Sequence, residues 1–189
     1  MNSLEDLLQL SRIESGQILF KREPLHIQGV IERTLAMIKP LADKSGHRLV
    51  SFVEDNLPAV LGDEDRLTQV LSNLLDNAIK YTPGKGTITI AAHPVSDDVT
   101  QPAVVTAVEL SVTDTGIGIP ELDRPRVFER FYRVDKARSR ELGGTGLGLA
   151  IVRHIVEGLG GRVWVEGNTP TGSRFVVRLP VQQISQPVR

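Results

Sequence analysis

The segment from residue 63 to residue 81 constrains the fold most, because its apolar residues repeat with a helical period on one face. At about 100° per residue, that face collects six aliphatic side chains: Leu67, Val70, Leu71, Leu74, Leu75 and Ala78. Such a helix has to bury its apolar face against another layer, because tertiary packing supplies most of the stability of helices in proteins. The pattern therefore predicts a helix over 63–81 that packs on a sheet.

A polar stripe runs along the same helix, about 110–120° from the apolar face. It consists of Arg66, Asn73, Asn77 and Lys80. A solvated flank would explain it, as on most amphipathic helices. Amide oxygens beside a lysine also suit hydrated Mg²⁺ with attached phosphates, because that ion keeps several waters and takes few protein ligands. The stripe alone leaves both interpretations open.

A second candidate for ligand contact is SVTDTGIGIP, residues 111–120, in which a β-rich run ends on Asp114 and Gly116 and Gly118 follow. A carboxylate at a strand end can accept a hydrogen bond from an exocyclic amine such as that of adenine. The glycines would let the backbone approach a flat ligand. An ordinary Asp-Thr-Gly turn explains the same residues.

A third candidate is GGTGLGLAIVRHIVEGLGG, residues 143–161, in which Gly144, Gly146 and Gly148 lead into an apolar-periodic helix. Backbone N–H groups at the start of a helix favour phosphate. The spacing fits neither G-x-x-x-x-G-K-[ST] nor G-x-G-x-x-G, because position 151 is Ile. A flexible glycine hinge before a helix is the alternative.

The remaining periodicities predict a mixed α and β fold. Helices are expected over 2–19, 28–45 and 145–159, and strands over 47–53, 86–93, 103–114, 162–167 and 173–180. Pro40 is expected to kink the second helix or end it early. The expected fold class is an α+β two-layer sandwich, in which a mixed sheet of about five strands is covered on one face by three helices.

The first helix has its apolar stripe on Leu4, Leu7 and Leu8, and Leu10 lies off that stripe. Because a single helix cannot bury these leucines, we expect the stripe to pack on a partner that is absent from this chain.

Composition excludes several classes of function. The net charge of −1 provides no field that would recruit nucleic acid. The absence of cysteine excludes disulfides, thiolate metal sites and a cysteine nucleophile. No apolar stretch approaches the roughly 20 residues that span a bilayer, and no signal peptide is visible. We expect a soluble, cytoplasmic domain.

In their order along the chain, these features resemble the catalytic, ATP-binding domain of the sensor histidine kinases of two-component systems. NLLDNAIKY (73–81) is similar to the N box of that family, DTGIG (114–118) to its G1 box, FERFYR (128–133) to its F box, GTGLGL (144–149) to its G2 box and GSRF (172–175) to its closing glycine–phenylalanine motif. LLQLSRIESGQ (7–17) is similar to the end of the second helix of the family's dimerisation and phosphoacceptor domain.

The resemblance covers about residues 24–180 and implies three segments. Residues 1–20 would be the C-terminal end of the second dimerisation helix, and residues 21–182 would be the catalytic ATP-binding domain. Within this catalytic domain, residues 115–144 would form the mobile ATP lid. Residues 183–189 would be a tail.

The resemblance also implies roles in a site for ATP and Mg²⁺. Asn77 would hold the metal, Asn73 would lie near the phosphates, and Asp114 would bind the adenine amine. Lys80 and Tyr81 would contact phosphate and ribose. The full cofactor-binding set implied is Asn73, Asn77, Lys80, Tyr81, Asp114, Gly116, Gly118, Ile119, Tyr132, Arg133, Gly144, Thr145, Gly146, Leu147 and Gly148.

The lid carries an excess of positive charge. Residues 124–140 hold seven basic residues against two acidic ones, which suits the stabilisation of a transferring phosphoryl group. Arg133 is the first choice for the γ-phosphate and Arg130 the second. Arg124 and Arg138 are interpreted as solvated loop charges.

Three aromatic residues of the F box, Phe128, Phe131 and Tyr132, are expected to anchor the lid or to dock it on the helix that carries the acceptor histidine.

Asn73 bears on the enzyme class. Related ATPases of this fold, such as gyrase and the heat-shock chaperones, carry a glutamate base at the corresponding position. An amide cannot accept a proton from water, so hydrolysis should be slow. With Asn73, Arg133 and Arg130 as catalytic candidates, the resemblance implies a protein-histidine kinase.

The acceptor histidine is expected to lie outside this chain, because none of His26, His47, His93 and His154 has the family's acceptor context. We expect a monomeric fragment that binds Mg·ATP without phosphorylating itself and binds no nucleic acid. The implied partners are its own dimerisation domain, in a full-length homodimer, and a response regulator receiver domain.

Two other functions stay open as alternatives: a slow ATPase or switch of the same fold, and a non-catalytic nucleotide-sensing module. Residues 7–17 argue against a serine-directed kinase of the anti-sigma type. Whether the parent protein is anchored in a membrane by a missing N-terminal region also stays open.

Overall fold

Ten helices and strands follow one another in the part of the chain that the computed structural model describes, residues 7–8, 10–12, 15, 19–96, 104–135 and 144–182. In chain order they are β1 (Glu23–Leu25), α1 (Ile27–Lys44), β2 (Arg48–Val53), β3 (Val60–Gly62), α2 (Glu64–Tyr81), β4 (Thr87–Val95), β5 (Ala107–Asp114), α3 (Gly148–Gly158), β6 (Arg162–Gly167) and β7 (Ser173–Pro180). Within these ranges, no helix combines the length and apolarity that crossing a bilayer requires.

Five strands form one mixed sheet in the order β2-β4-β5-β7-β6. β2 and β4 run parallel, with Val50 opposite Thr89. The other neighbours are antiparallel, and Val112 of β5 lies opposite Phe175 of β7. The short strands β1 and β3 form a separate antiparallel pair. The predicted mixed sheet of about five strands is confirmed.

The helices cover one face of this sheet. Alternate strand residues point into that layer, and Ile90, Leu110 and Val177 are among those that are at most 1% exposed. On α2, all six residues of the predicted apolar face are at most 2% exposed. The same layer contains Ile151 and Ile155 of α3. The predicted two-layer sandwich is therefore confirmed.

The opposite face of the sheet carries a network of charges around Glu109. This carboxylate accepts hydrogen bonds from Arg174 at 2.9 Å and from Arg178 at 2.8 Å. Arg174 also donates to Glu166, which accepts a second bond from the indole of Trp164. Burial raises the pKa of Glu109, but the bonds from Arg178 and Arg174 outweigh it, so the pKa lies below its usual range.

The first segment differs from the expectation. Leu10, predicted to lie off the apolar stripe, is 1% exposed, whereas Leu7 is 44% and Leu8 50% exposed. Leu10 belongs to the domain's own core, so the buried side follows packing within the chain and not a stripe read from residues 4–8. Leu4, on the same predicted stripe, lies outside the described residues.

Pro40 does not end α1, which continues to Lys44. A proline inside a helix leaves the carbonyl four residues earlier without its donor. That residue is Ala36, which is exposed as Pro40 itself is, so water can satisfy the carbonyl. The expectation of an early end was therefore wrong.

Candidate functional site

A cavity of about 430 Å³ opens between α2, the end of β5, the loop that follows β5 and the start of α3. Its lining comprises Ile38, Ser72, Asn73, Asp76, Asn77, Lys80, Tyr81, Asp114, Ile117, Gly118, Ile119, Val127, Tyr132, Arg133, Val134, Asp135, Gly144, Thr145, Gly146, Gly148, Leu149, Ser173 and Phe175. Residues of the predicted N, G1, F and G2 boxes, far apart in sequence, thus meet around one space.

Helix α2, which begins after the capping residue Asp63, forms one wall of the cavity. Asp63 caps α2 by accepting a hydrogen bond from the backbone N–H of Arg66 at 3.2 Å. Asn73, 5% exposed, donates through Nδ2 to the carbonyl oxygen of Gly148 over 3.4 Å. Asn77 and Lys80 follow on the same wall. Arg66, the first residue of the predicted polar stripe, is not in the lining and contacts Gln69 instead.

At the other end of the cavity lies Asp114, the last residue of β5, which is 4% exposed. Its Oδ1 accepts hydrogen bonds from the backbone N–H groups of Gly116 at 2.8 Å and Ser173 at 3.2 Å. Burial raises the pKa of this carboxyl, and the two N–H donors partly oppose that shift. Because both of these bonds fall on Oδ1, Oδ2 is the oxygen of Asp114 that can accept a hydrogen bond from a ligand.

Gly116 holds the end of β5 against the end of α2. A Cβ at this position would lie 2.2 Å from the carbonyl oxygen of Tyr81, and the next residue, Ile117, donates its N–H to the same oxygen. Gly116 is therefore not in the cavity lining, but it fixes the distance between Asp114 and α2.

Two F-box residues, Tyr132 and Arg133, reach the cavity. The hydroxyl of Tyr132 donates to Asp123, and the guanidinium of Arg126 lies 4.3 Å from the centroid of the Tyr132 ring. Arg130 is exposed and does not line the cavity, so its catalytic role stays a prediction.

The F-box phenylalanines separate into two roles. Phe128 is buried and packs edge-on against Phe175, with ring centroids 6.2 Å apart. Phe131 is 60% exposed and has a positive φ of 59°. Phe128 belongs to the core cluster. That these side chains anchor a lid, or dock it on the helix with the acceptor histidine, stays a prediction.

Arg124 is not a plain solvated charge. It is half-buried, and its Nε donates to the carbonyl oxygen of Ile119 at 3.1 Å. The expectation for Arg124 was wrong because the loop folds back on itself after Pro120. Arg138 lies outside the described residues.

The glycine segment before α3 closes the remaining side. Gly146 has a φ of +73°, and its carbonyl oxygen accepts the N–H of Phe131 at 2.9 Å. The hydroxyl of Thr145 accepts the N–H of Leu147 at 3.2 Å. Leu147 is 1% exposed and turns into the core, outside the cavity lining. α3 begins at Gly148 and not at residue 145, because the left-handed Gly146 precedes it.

The sequence missed several lining residues. Asp76 and Ser72 lie on α2 next to the predicted asparagines, and helical spacing could have identified them. Ser173 and Ile38 lie on β7 and α1, so only the tertiary fold brings them to the cavity.

The donors around the cavity fit a magnesium ion that is shared with phosphates. Asn73 and Asn77 offer amide oxygens and Asp76 a carboxylate. In the described ranges, no cluster of three or more His, Asp or Glu side chains could hold a metal by itself. An ion here would therefore be completed by water and ligand oxygens.

Comparison with known proteins agrees with this geometry. The sequence profile of the family described as "Histidine kinase-, DNA gyrase B-, and HSP90-like ATPase" matches residues 62–183. The chain belongs to this family. The matched residues contain α2, the two glycine segments and every residue of the cavity lining except Ile38.

Histidine kinases are prominent among the relatives within this ATPase family. Sensor histidine kinase WalK of Bacillus subtilis is 40% identical over 184 residues, which is 95% of this chain and 28% of WalK. Sensor-like histidine kinase SenX3 of Mycolicibacterium smegmatis is 36% identical over 93% of this chain and 43% of SenX3. The chain thus spans less than half of these relatives.

Two solved structures extend the comparison. Full-length ShkA in complex with AMPPNP superposes with a TM-score of 0.81 at 31% identity, covering 99% of this chain and 37% of ShkA. The mycobacterial sensor histidine kinase MprB gives a TM-score of 0.68 at 30% identity, over 85% of this chain and 98% of that one. The predicted resemblance to the ATP-binding catalytic domain of sensor histidine kinases is confirmed.

Proposed function

We propose that this domain binds Mg·ATP in the cavity and transfers the γ-phosphoryl group to a histidine of a dimerisation domain, for relay to a response regulator. The observation that carries the proposal is that one cavity is lined both by a buried carboxylate, Asp114, and by the amide side chains of α2. The ShkA structure, described as a complex with AMPPNP, supports ATP as the ligand.

The base would be bound by Asp114. Its Oδ1 is occupied by two backbone donors, so Oδ2 would accept the exocyclic amine of adenine. Guanine has a carbonyl oxygen at that place, which would face the carboxylate without a proton between them. We therefore propose that the site prefers ATP to GTP.

The phosphates would lie along α2 toward the glycine segment. Asn77 would hold the metal, which when bound neutralises charge on the phosphates. The backbone around Gly146 and Gly148 would contact the phosphates at the start of α3. Lys80 and Arg133 are the cations of the described lining, and Arg133 is our first choice for stabilising charge on the transferring group.

Asn73 favours a kinase over a hydrolase. An amide at this buried position cannot take a proton from water, so it provides no general base for hydrolysis. Its Nδ2 instead bonds to the carbonyl oxygen of Gly148. The γ-phosphoryl group would therefore await a nucleophile from the dimerisation domain.

The test is to incubate the chain with γ-labelled ATP, with and without a separately prepared dimerisation domain. We expect label on the histidine of the added domain and none on this chain. Steady release of phosphate without any acceptor would favour the slow ATPase instead. Nucleotide binding without transfer would favour a nucleotide-sensing module.

A further inference from the structure

An acidic residue lies on the cavity wall where polyphosphate is proposed to bind. Asp76 lines the cavity next to Asn77. Its Oδ2 lies 2.6 Å from the Nζ of Lys80, one helical turn further along α2. Both side chains are partly buried, with 30% of Asp76 and 34% of Lys80 exposed. The ammonium group of Lys80, the lysine of the described lining, is thus already paired.

This pair changes the electrostatics of the wall. Lys80 alone would attract any polyphosphate, whether or not a metal accompanied it. With Asp76 beside it, the α2 wall has one positive and one negative group in contact, and their fields largely cancel at a distance. Partial burial reduces the screening of both charges by water and salt. A metal-free polyphosphate therefore meets a wall that offers little attraction and one nearby carboxylate.

We propose that Asp76 makes the site select metal-loaded nucleotide, and that it does so as a positioning residue for Lys80. This inference rests on the proposed function of the cavity. The carboxylate repels phosphates that carry their full negative charge and holds Lys80 away from them. A divalent cation that enters with the nucleotide reverses this, because it attracts the carboxylate and leaves Lys80 to the phosphates.

The experiment measures the affinity of the chain for ADP by calorimetry, once with excess Mg²⁺ and once with EDTA. In the unmodified chain we expect Mg·ADP to bind at least about tenfold more tightly than metal-free ADP. Asp76→Asn should bind metal-free ADP about three- to tenfold more tightly than the unmodified chain does. The ratio of the affinity for Mg·ADP to the affinity for metal-free ADP should therefore become smaller. Asp76→Glu keeps the charge and should keep the ratio.

Asp43→Asn is the matched control. Asp43 pairs with Lys39 at 3.1 Å with the same i,i+4 spacing on α1, but that pair is exposed and outside the cavity lining. Its removal changes the net charge equally and should leave both affinities unchanged.

The outcomes separate the two proposals. A ratio in Asp76→Asn equal to that of the unmodified chain would overturn the role of Asp76 and leave the nucleotide site intact. Absence of any ADP binding by the unmodified chain would overturn the proposed function and this inference with it. If the ratio of the two affinities fell equally in Asp43→Asn, the change in net charge alone would explain the effect. That result would contradict a specific role for Asp76.

Discussion

Asn73 of α2 donates a hydrogen bond to the carbonyl oxygen of Gly148, the first residue of α3. The bond connects the two helices where both residues line the cavity, and it uses the N–H side of the amide. The side chain at position 73 must therefore donate a hydrogen bond to α3, whereas a hydrolase needs a proton-accepting base at that position.

Asn73→Glu should lose the hydrogen bond to α3 and gain a general base. The carboxylate cannot donate to Gly148 and would face its carbonyl oxygen, so we expect the free energy of unfolding to fall by about 1–2 kcal/mol. As a base, the same carboxylate should raise phosphate release from ATP by at least about tenfold. Both quantities are measurable, by urea denaturation and by a coupled phosphate assay.

Asn73→Gln is the control for this change, because it has the same length as glutamate and keeps the amide. Phosphate release should stay at the level of the unmodified chain. If the Gln and Glu variants released phosphate equally fast, the absence of a base at position 73 would not explain slow hydrolysis.

Gly146→Ala should weaken both the fold and the nucleotide site. Gly146 has a φ of +73°, and a Cβ there would lie 2.9 Å from the Cα of Phe131. The substitution would strain the backbone and push apart the contact between the glycine segment and the F box. We expect a loss of about 2–3 kcal/mol in unfolding free energy, with weaker ATP binding.

Gly84→Ala is the control that measures how much unfolding free energy is lost through backbone strain alone. Gly84 has a similar φ of +69°, but a Cβ there would meet nothing within 4 Å. It should cost only about 1–2 kcal/mol and leave ATP affinity unchanged. Equal effects of both substitutions on ATP affinity would contradict a role for the contact between Gly146 and Phe131.

Glu109→Gln should make the domain less stable at neutral pH. The substitution leaves Arg174 and Arg178 without their shared carboxylate, at a cost of about 2 kcal/mol. Because the pKa of Glu109 is lowered in the folded state, its contribution is present above the unfolded value of about 4.3 and lost as the pH falls through the folded value.

The stability difference between the two chains should therefore be constant above about pH 5 and narrow below about pH 4, as measured by urea denaturation. The control is Glu157→Gln, which removes an exposed pair with Arg153 and should cost at most about 1 kcal/mol at any pH. A stability difference for Glu109→Gln that did not change with pH would contradict the ionic account.

The sequence pattern correctly predicted the helices and strands whose limits are set by residues next to them in the chain. The strands over 162–167 and 173–180 have the predicted limits, because glycines and a Thr-Pro-Thr-Gly turn bound them and their apolar residues alternate. The apolar face of α2 is as predicted because six of its positions share one helical phase.

What the sequence did not predict depends on contacts that form only when the chain folds, some with distant segments and some, as for Arg124, within one loop. Leu10 is buried because the core of the domain receives it, and Arg124 is held by the carbonyl oxygen of Ile119. Ile38 reaches the cavity from α1 without any motif of its own. Tertiary packing decides such positions, and helical or strand periodicity carries no information about it.

The most direct test of the cavity as an ATP site concerns Asp114. In Asp114→Asn the amide oxygen can still accept the N–H groups of Gly116 and Ser173, but an N–H₂ group replaces the acceptor oxygen proposed to bind adenine. The fold should keep its stability or gain up to about 1 kcal/mol, because burial disfavours the charged form of Asp114 and so raises its pKa.

The pH gives an independent check on the unmodified chain. Because the folded pKa of Asp114 is raised, the carboxylate should become protonated at a higher pH than an ordinary aspartate on acidification. ATP affinity should therefore decline as the pH falls through that raised value. Asp114→Asn should lack this decline.

The decisive measurement is calorimetric titration of ATP and GTP, with Mg²⁺, into the unmodified chain and into Asp114→Asn at neutral pH. We predict one ATP bound per chain, GTP bound at least about tenfold more weakly, and a loss of at least about tenfold in ATP affinity in the variant. Equal ATP affinity of the two chains, with the variant still folded, would contradict the assignment of this cavity as the ATP site.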